Sequence, residues 1–267
     1  MIVVELVKLV RRPRTWVSIA LLVALPTVVA VFLAVSDVAP RPGTGPAFLS
    51  AVLENGALYP AAALAIVLHL FLPVAVAVVA GDAIAGEAQA GTLRYLLIRP
   101  VGRTRLLVAK LVSVIAYALM AVVIVSVTAY AVGTQLFGSG PLPSVSGTEL
   151  STGAATLRTV LAVLYVGWSM LGVAAVALFL STLTDSPLAA ALGAIALLVT
   201  SGVLVGLEAS ASVQPYLPTR YWLAFVDLFR DPVLYRDLAR GTALQAAYIV
   251  VFLGAAWANF MTKDVTS

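Results

Sequence analysis

The sequence predicts an all-α integral membrane protein with six transmembrane helices, and three observations carry that prediction. Hydrophobic residues make up 62% of the 267-residue chain and charged residues 10%, with a mean hydropathy of +1.07. Soluble domains average about 45–50% apolar and about 25% charged residues. Six apolar segments, about 16–36, 58–80, 106–132, 158–180, 188–207 and 242–260, each approach or exceed the roughly 20 residues that a bilayer core requires. Lipid cannot satisfy open backbone groups, so each segment is expected to close its hydrogen bonds as a helix. Finally, lysine and arginine are distributed unevenly. With the N-terminus inside, ten fall on the cytoplasmic side and six (Arg41, Arg158, Arg220, Arg230, Arg236, Arg240) outside. The last four of those share one connection with Glu208, Asp227, Asp231 and Asp237, which neutralise them. Both termini are therefore expected in the cytoplasm, with the chain crossing the plasma membrane.

Residues 1–14 place Ile2, Val3, Leu6, Leu9 and Val10 on one helical face and Glu5, Lys8 and Arg12 on another. That pattern predicts a helix lying in the interface with its basic side toward the headgroups. Pro13 is expected to end it before Trp16, a residue suited to the membrane boundary, opens the first span. No small-residue cleavage site follows, so the first span is expected to be a retained anchor. The connection after it, "SDVAPRPGTGP", is a Pro/Gly-rich turn segment.

The second span contains His69, the single histidine, and Pro73, which is expected to kink it. An ionisable residue inside a span is a candidate polar site, although a hydrogen bond to a neighbouring helix is the plainer role. Residues 81–105 follow as the one substantial cytoplasmic loop. Acids (Asp82, Glu87) precede bases there, which complements a helix macrodipole, and the spacing of Leu93, Leu96 and Leu97 predicts a short amphipathic helix over about 87–98. Pro100 is expected to end that helix and Gly102 to permit the turn into the third span. The plain role for these charges is topology and anionic lipid.

A Gly/Ser/Pro-rich outer connection leads to the fourth span. Asp185-Ser186-Pro187 then forms an N-cap with proline in the first turn of the fifth. Gly202 and Gly206 of that span are spaced small-x3-small, an arrangement that lets helices approach within one subunit or between two. Residues 208–241 are too polar to span, yet Tyr216, Tyr221, Trp222, Phe225 and Phe229 make part of them apolar. Two short helices dipping into the outer interface, separated at Asp231-Pro232, are expected.

Several functions are excluded by what the chain lacks. With no cysteine there is no disulfide or thiolate metal site, and one histidine leaves no metal cluster. The chain contains no G-x4-GK[ST], HExxH or GxSxG pattern, so no catalytic residues are assigned and no enzyme is expected. Nothing interleaves bases with aromatics on a soluble domain, so no nucleic-acid partner is expected.

Glu87, Gly91-Thr92-Leu93, Leu96-Leu97, Pro100-Val101, Arg103 and Lys110 follow the pattern E-x3-GTL-x2-LL-x2-PV-x-R-x6-K. This resembles the signature of type-2 ABC exporter permeases, in the branch of sodium-export, drug-resistance and nitrous-oxide-reductase-maturation permeases. The ending, with Phe260, Lys263 and Asp264, is similar to the F-x2-KD that closes many of them. Gly102 stands where many relatives carry serine. The resemblance implies a single permease domain over residues 1–267 with a coupling helix in the 82–105 loop and re-entrant outer helices at 208–241. It further implies a subunit that pairs with a second copy or a similar permease and moves substrate between the first, second and fifth spans. ATP and Mg would be bound by a separate ATPase subunit, with no cofactor in this chain. The implied coupling residues are Asp82, Glu87, Gly91, Thr92, Arg94, Leu97, Arg99, Pro100 and Arg103, and the resemblance places Gly202 and Gly206 near a dimer contact. Two other classes compete. A secondary transporter would show repeats, broken helices and buried charges near mid-membrane. A membrane scaffold would recruit a soluble partner through the same loop without transport.

Overall fold

The computed structural model describes residues 1–36, 52, 53, 55–92, 102–138, 144, 146 and 148–262. Its α-helices are α1 (Ile2–Arg11), α2 (Pro13–Val35), α3 (Tyr59–Leu68), α4 (Phe71–Gln89), α5 (Arg103–Phe137), α6 (Thr152–Leu183), α7 (Pro187–Val205) and α8 (Tyr235–Thr262). Six of these, α2 and α4 to α8, are long and apolar enough to cross a membrane. Short 3-10 segments stand at Gly56–Leu58, Glu208–Ser210, Gln214–Tyr216 and Trp222–Phe229.

Helix α6 is the centre of the bundle, with 67% of its apolar stretch buried against 22% in α2 and 17% in α8. It packs on α4 and α8, α4 packs in turn on α7, and α2 and α3 pack on α5. The first-turn signal at Ser186 holds: its hydroxyl accepts from the Ala189 N–H (3.3 Å) and Pro187 opens α7. At the opposite end of the bundle from residues 82–92, Gly56 and Gly133 cross almost in contact. A Cβ on Gly56 would lie 1.9 Å from the Gly133 carbonyl oxygen, so neither position admits a side chain.

The structure corrects four expectations. The second span is not one helix over 58–80 but two, α3 and α4, separated at His69–Leu70. Proline 73 explains the position, because its ring clashes with the carbonyl four residues back, that of His69, and it brings no N–H to bond it. Leu70 leaves helical geometry there (φ −146°, ψ −56°).

Helix α1 forms and ends at Arg12 before Pro13 as expected, but part of its polar side packs against the protein instead of facing outward. Glu5 and Leu9 are buried, while Val3, Val4 and Val10 are exposed. Its polar face turns toward the protein because charged partners on α4 and α5 wait there.

No new helix begins at Glu87. That residue sits in the last turn of α4, which stops at Ala90 and Gly91; Thr92 is helical again after this turn, and residues 93–101, the rest of the expected coupling helix, lie outside the described residues.

Lastly, residues 235–241 are not a second dipping helix but the first two turns of α8. The preceding apolar stretch instead folds back onto the bundle, burying Trp222, Phe225, Leu228 and Phe229. Apolar area removed from water stabilises by about 25 cal/mol per Å², which is why this stretch folds inward.

Candidate functional site

Charges gather at one end of the bundle. The last two turns of α4 carry Asp82 and Glu87, the second turn of α5 carries Lys110, and α1 brings Glu5 and Lys8 alongside. Lys110 Nζ donates to Glu5 Oε2 (2.9 Å) and to Glu87 Oε1 (2.8 Å). Lys8 Nζ reaches the same two carboxylates at 3.3 and 3.4 Å. Two acids and two bases thus alternate and sum to zero, with the Lys110 side chain only 5% exposed. An isolated buried charge costs several kcal/mol, so each group in this square makes the others tolerable. Burial pulls the Lys8 pKa down, but Glu87 and Glu5 more than offset it and hold the ammonium above its ordinary value.

The turn after α4 adds to Glu87. Gly91 adopts φ +67°, a left-handed conformation that glycine alone takes without cost. This turns the chain back so that the Thr92 hydroxyl donates to the Glu87 carboxylate and to its carbonyl oxygen (3.2 Å). One turn earlier, Asp82 accepts from Arg12 Nη1 (3.2 Å) and from the Arg14 guanidinium.

Two further contacts fix neighbouring helices at this end. The buried Ser181 hydroxyl of α6 donates to the Gly81 carbonyl (2.6 Å) and accepts from the N–H groups of Ile84 and Ala85. A side chain placed into a helix ladder in this way is a recognised cause of local bending. Arg103 donates to the carbonyls of Phe260 (3.2 Å) and Met261 (2.9 Å), capping the C-terminus of α8 with positive charge. Replacing it with glutamine is expected to cost about 0.3–1 kcal/mol and to speed amide hydrogen exchange selectively at residues 258–262. Unchanged exchange there would remove the capping role.

Two clefts flank the second span. One, of about 630 Å³, lies between α1, α2, α4 and α5. Leu21, Leu22, Phe71 and Val74 form its apolar wall, and Asp82 and Lys110 lie at its charged end. The other, of about 660 Å³, opens between the α3–α4 break and α7 and brings together His69, Gly202, Gly206, Arg220 and Trp222.

Of the residues singled out from sequence, Asp82, Glu87 and Thr92 thus meet in one charged seam, and Gly91 makes the turn that completes it. Arg103 lies apart, on the end of α8. Arg94, Leu97, Arg99 and Pro100 lie outside the described residues, as do Lys263 and Asp264. His69 is exposed, with its Nδ1 donating to the Ala65 carbonyl (2.7 Å), a contact inside its own helix. Gly202 is also exposed, and a Cβ there would meet nothing within 4 Å, so its face is not used for packing within the subunit. Sequence reasoning missed Glu5, Lys8, Arg12 and Arg14 as partners of the loop acids, and Ser181 altogether. Glu5 was the available signal: it is the single acid among the first 36 residues and it sits in an apolar run.

By length and composition, six helices able to cross a membrane make this a multi-pass helical membrane protein, with the charged seam at one end of the bundle. The chain belongs to the family described as "Protein of unknown function (DUF2705)", which matches residues 25–266. No curated protein matches the chain. The family match takes in Asp82, Glu87 and Lys110 and begins after α1.

Proposed function

We propose that the chain is the membrane-spanning permease subunit of an ABC exporter, working in pairs and driven by separate ATPase subunits that hold ATP and Mg. In this reading both termini and the connection between α4 and α5 face the cytoplasm, and the chain resides in the plasma membrane in contact with its lipid.

The observation that carries the reading is the Glu87–Lys110 ion pair at 2.8 Å. It closes the base of the connection that bears the permease-like pattern, and Glu5 ties α1 to the same point. A push on that connection from a soluble partner is then passed to α1, α4 and α5 as one body instead of being absorbed by a loose loop. The clefts beside α2, α4 and α7 suit a pathway along the first, second and fifth spans.

Arg94→Glu is the appropriate test of coupling. It is expected to leave the protein inserted and folded while ATP hydrolysis by the partner no longer drives transport. Normal coupled transport in this variant would take Arg94 out of the mechanism. Glu87 is a poorer choice, because reversing it sets an ammonium against Lys110 and disturbs the fold itself.

The open face of α7 supports pairing. Gly202 is exposed with nothing within 4 Å of a Cβ placed on it, and small residues let backbones approach closely in lipid. Gly202→Leu with Gly206→Leu is expected to lower the dimer fraction several-fold in cross-linking within membranes. An unchanged fraction would place the contact on another face.

A second reading, an ATP-independent secondary transporter, draws on the discontinuous second span, since broken helices mark binding sites in that class. The charged seam tells against it, because its charges are neutralised in pairs at one end of the bundle rather than poised near the middle. Uptake driven by an ion gradient in vesicles without ATP would favour this second reading.

A further inference from the structure

We propose that the cleft between the α3–α4 break and α7 binds an amphiphile with an anionic head. The head lies against Trp222 and Arg220, and the chain lies along Leu68, Leu198, Val199 and Val203.

The argument begins with an orphaned donor. Trp222 is 6% exposed and lines this cleft, yet its indole Nε1–H has no partner among the described residues. A buried donor without an acceptor costs about 1–3 kcal/mol, and tryptophan N–H groups ordinarily find one when buried. An acceptor supplied from outside resolves the cost.

Charge comes next. Arg220 lines the same cleft and forms no ion pair among the described residues; no carboxylate lines this cleft, while Asp227 and Asp237 stand with Arg220 around the adjoining polar one. A guanidinium binds carboxylate or phosphate through paired N–H donors.

The remainder of the wall is aliphatic, and at about 660 Å³ the cleft falls within the usual range for ligand sites. The Trp222 N–H and the Arg220 guanidinium at one end of an aliphatic groove point to a ligand with an anionic head and an apolar tail. The site does not depend on the permease reading, because binding needs neither ATP nor a partner; since Gly202 and Gly206 line the same cleft, an amphiphile there and pairing through that face of α7 exclude each other.

The test uses the full chain in phosphatidylcholine nanodiscs and a twelve-carbon carboxylate bearing a diazirine, with labelled peptides mapped by mass spectrometry. Labelling is expected within residues 195–223 and 68–74. Dodecanoate should compete at least tenfold more effectively than dodecyltrimethylammonium or dodecanol. Arg220→Gln is expected to lower the affinity about tenfold, and Trp222→Phe, which keeps the apolar bulk and removes the N–H, at least threefold. If Trp222→Phe proves unstable, Arg220→Gln carries the test, since that side chain is on the surface. Equal competition by the cation, or affinities unmoved by Arg220→Gln, would overturn the proposal. Replacing part of the phosphatidylcholine with phosphatidylglycerol then identifies the source. Competition by this lipid makes the natural occupant a phospholipid headgroup, and its absence makes it a free amphiphile. Anion binding without ATP-driven movement would leave this site standing and count against the permease reading alone.

Discussion

Replacing Lys110 with methionine is expected to destabilise the protein by about 3–5 kcal/mol, the usual cost of removing one member of a buried ion pair. Lys110 is the ammonium that touches both Glu5 and Glu87 at under 3 Å. Without it, two carboxylates remain in an enclosed space with only Lys8, whose longer contacts and 39% exposed side chain make it a weaker partner. The melting temperature of the detergent-purified protein should fall on the order of 10 °C. The double variant Lys110→Met/Glu87→Gln should recover part of the loss, because it removes one of the stranded charges. An unchanged melting temperature for Lys110→Met would mean that water reaches the seam and screens it. Alkali is the matching solution test. Since the Lys8 pKa is raised, its contribution is complete below the ordinary lysine value and is lost only as pH climbs through the higher folded one. Stability across the neutral range should therefore be indifferent to Lys8 titration.

The second large effect is expected at the opposite end of the bundle, where Gly133→Leu should cost at least about 1–3 kcal/mol. A Cβ on Gly133 would lie 2.4 Å from the Gly56 carbonyl oxygen and 2.5 Å from Tyr59 Cβ. These are backbone or near-backbone atoms, so relief requires α3 to separate from α5. That separation would also disturb the Tyr59 hydroxyl donated to the Pro26 carbonyl and the Tyr59–Phe137 ring contact at 6.1 Å. Gly153→Ala is the control: a Cβ there meets nothing within 4 Å, and alanine in a helix is favoured over glycine by roughly 0.5–1 kcal/mol. If both substitutions melt alike, the close crossing is not a constraint on the fold.

How much of this was legible in the sequence depends on the range of the interaction responsible. The six spans were legible because a run of about 20 apolar residues has one stable arrangement in lipid. Their ends were not. Helix α5 runs from Arg103 to Phe137, beyond the apolar core at both ends, because polar residues continue a helix once it has begun. Pro73 signalled a disturbance in the second span, but a clash four residues upstream places the break at His69. The inward packing of the polar side of α1 was hidden for a different reason. Amphipathicity tells which residues share a face, while Lys110 and Glu87, about 80 to 105 positions away, decide which face turns inward. The gathering of His69, Gly202, Gly206, Arg220 and Trp222 around one cleft likewise depends on long-range packing that no local pattern encodes.

The most direct measurement is to tag the chain, purify it gently from its native membrane and identify by mass spectrometry what accompanies it. The permease reading predicts a stoichiometric partner bearing a P-loop, held through the connection between α4 and α5 and released by Arg94→Glu. A chain that comes alone, or with a partner lacking any nucleotide site, would contradict it. The basic connection would then serve topology and lipid, and secondary transport or scaffolding would become the leading account.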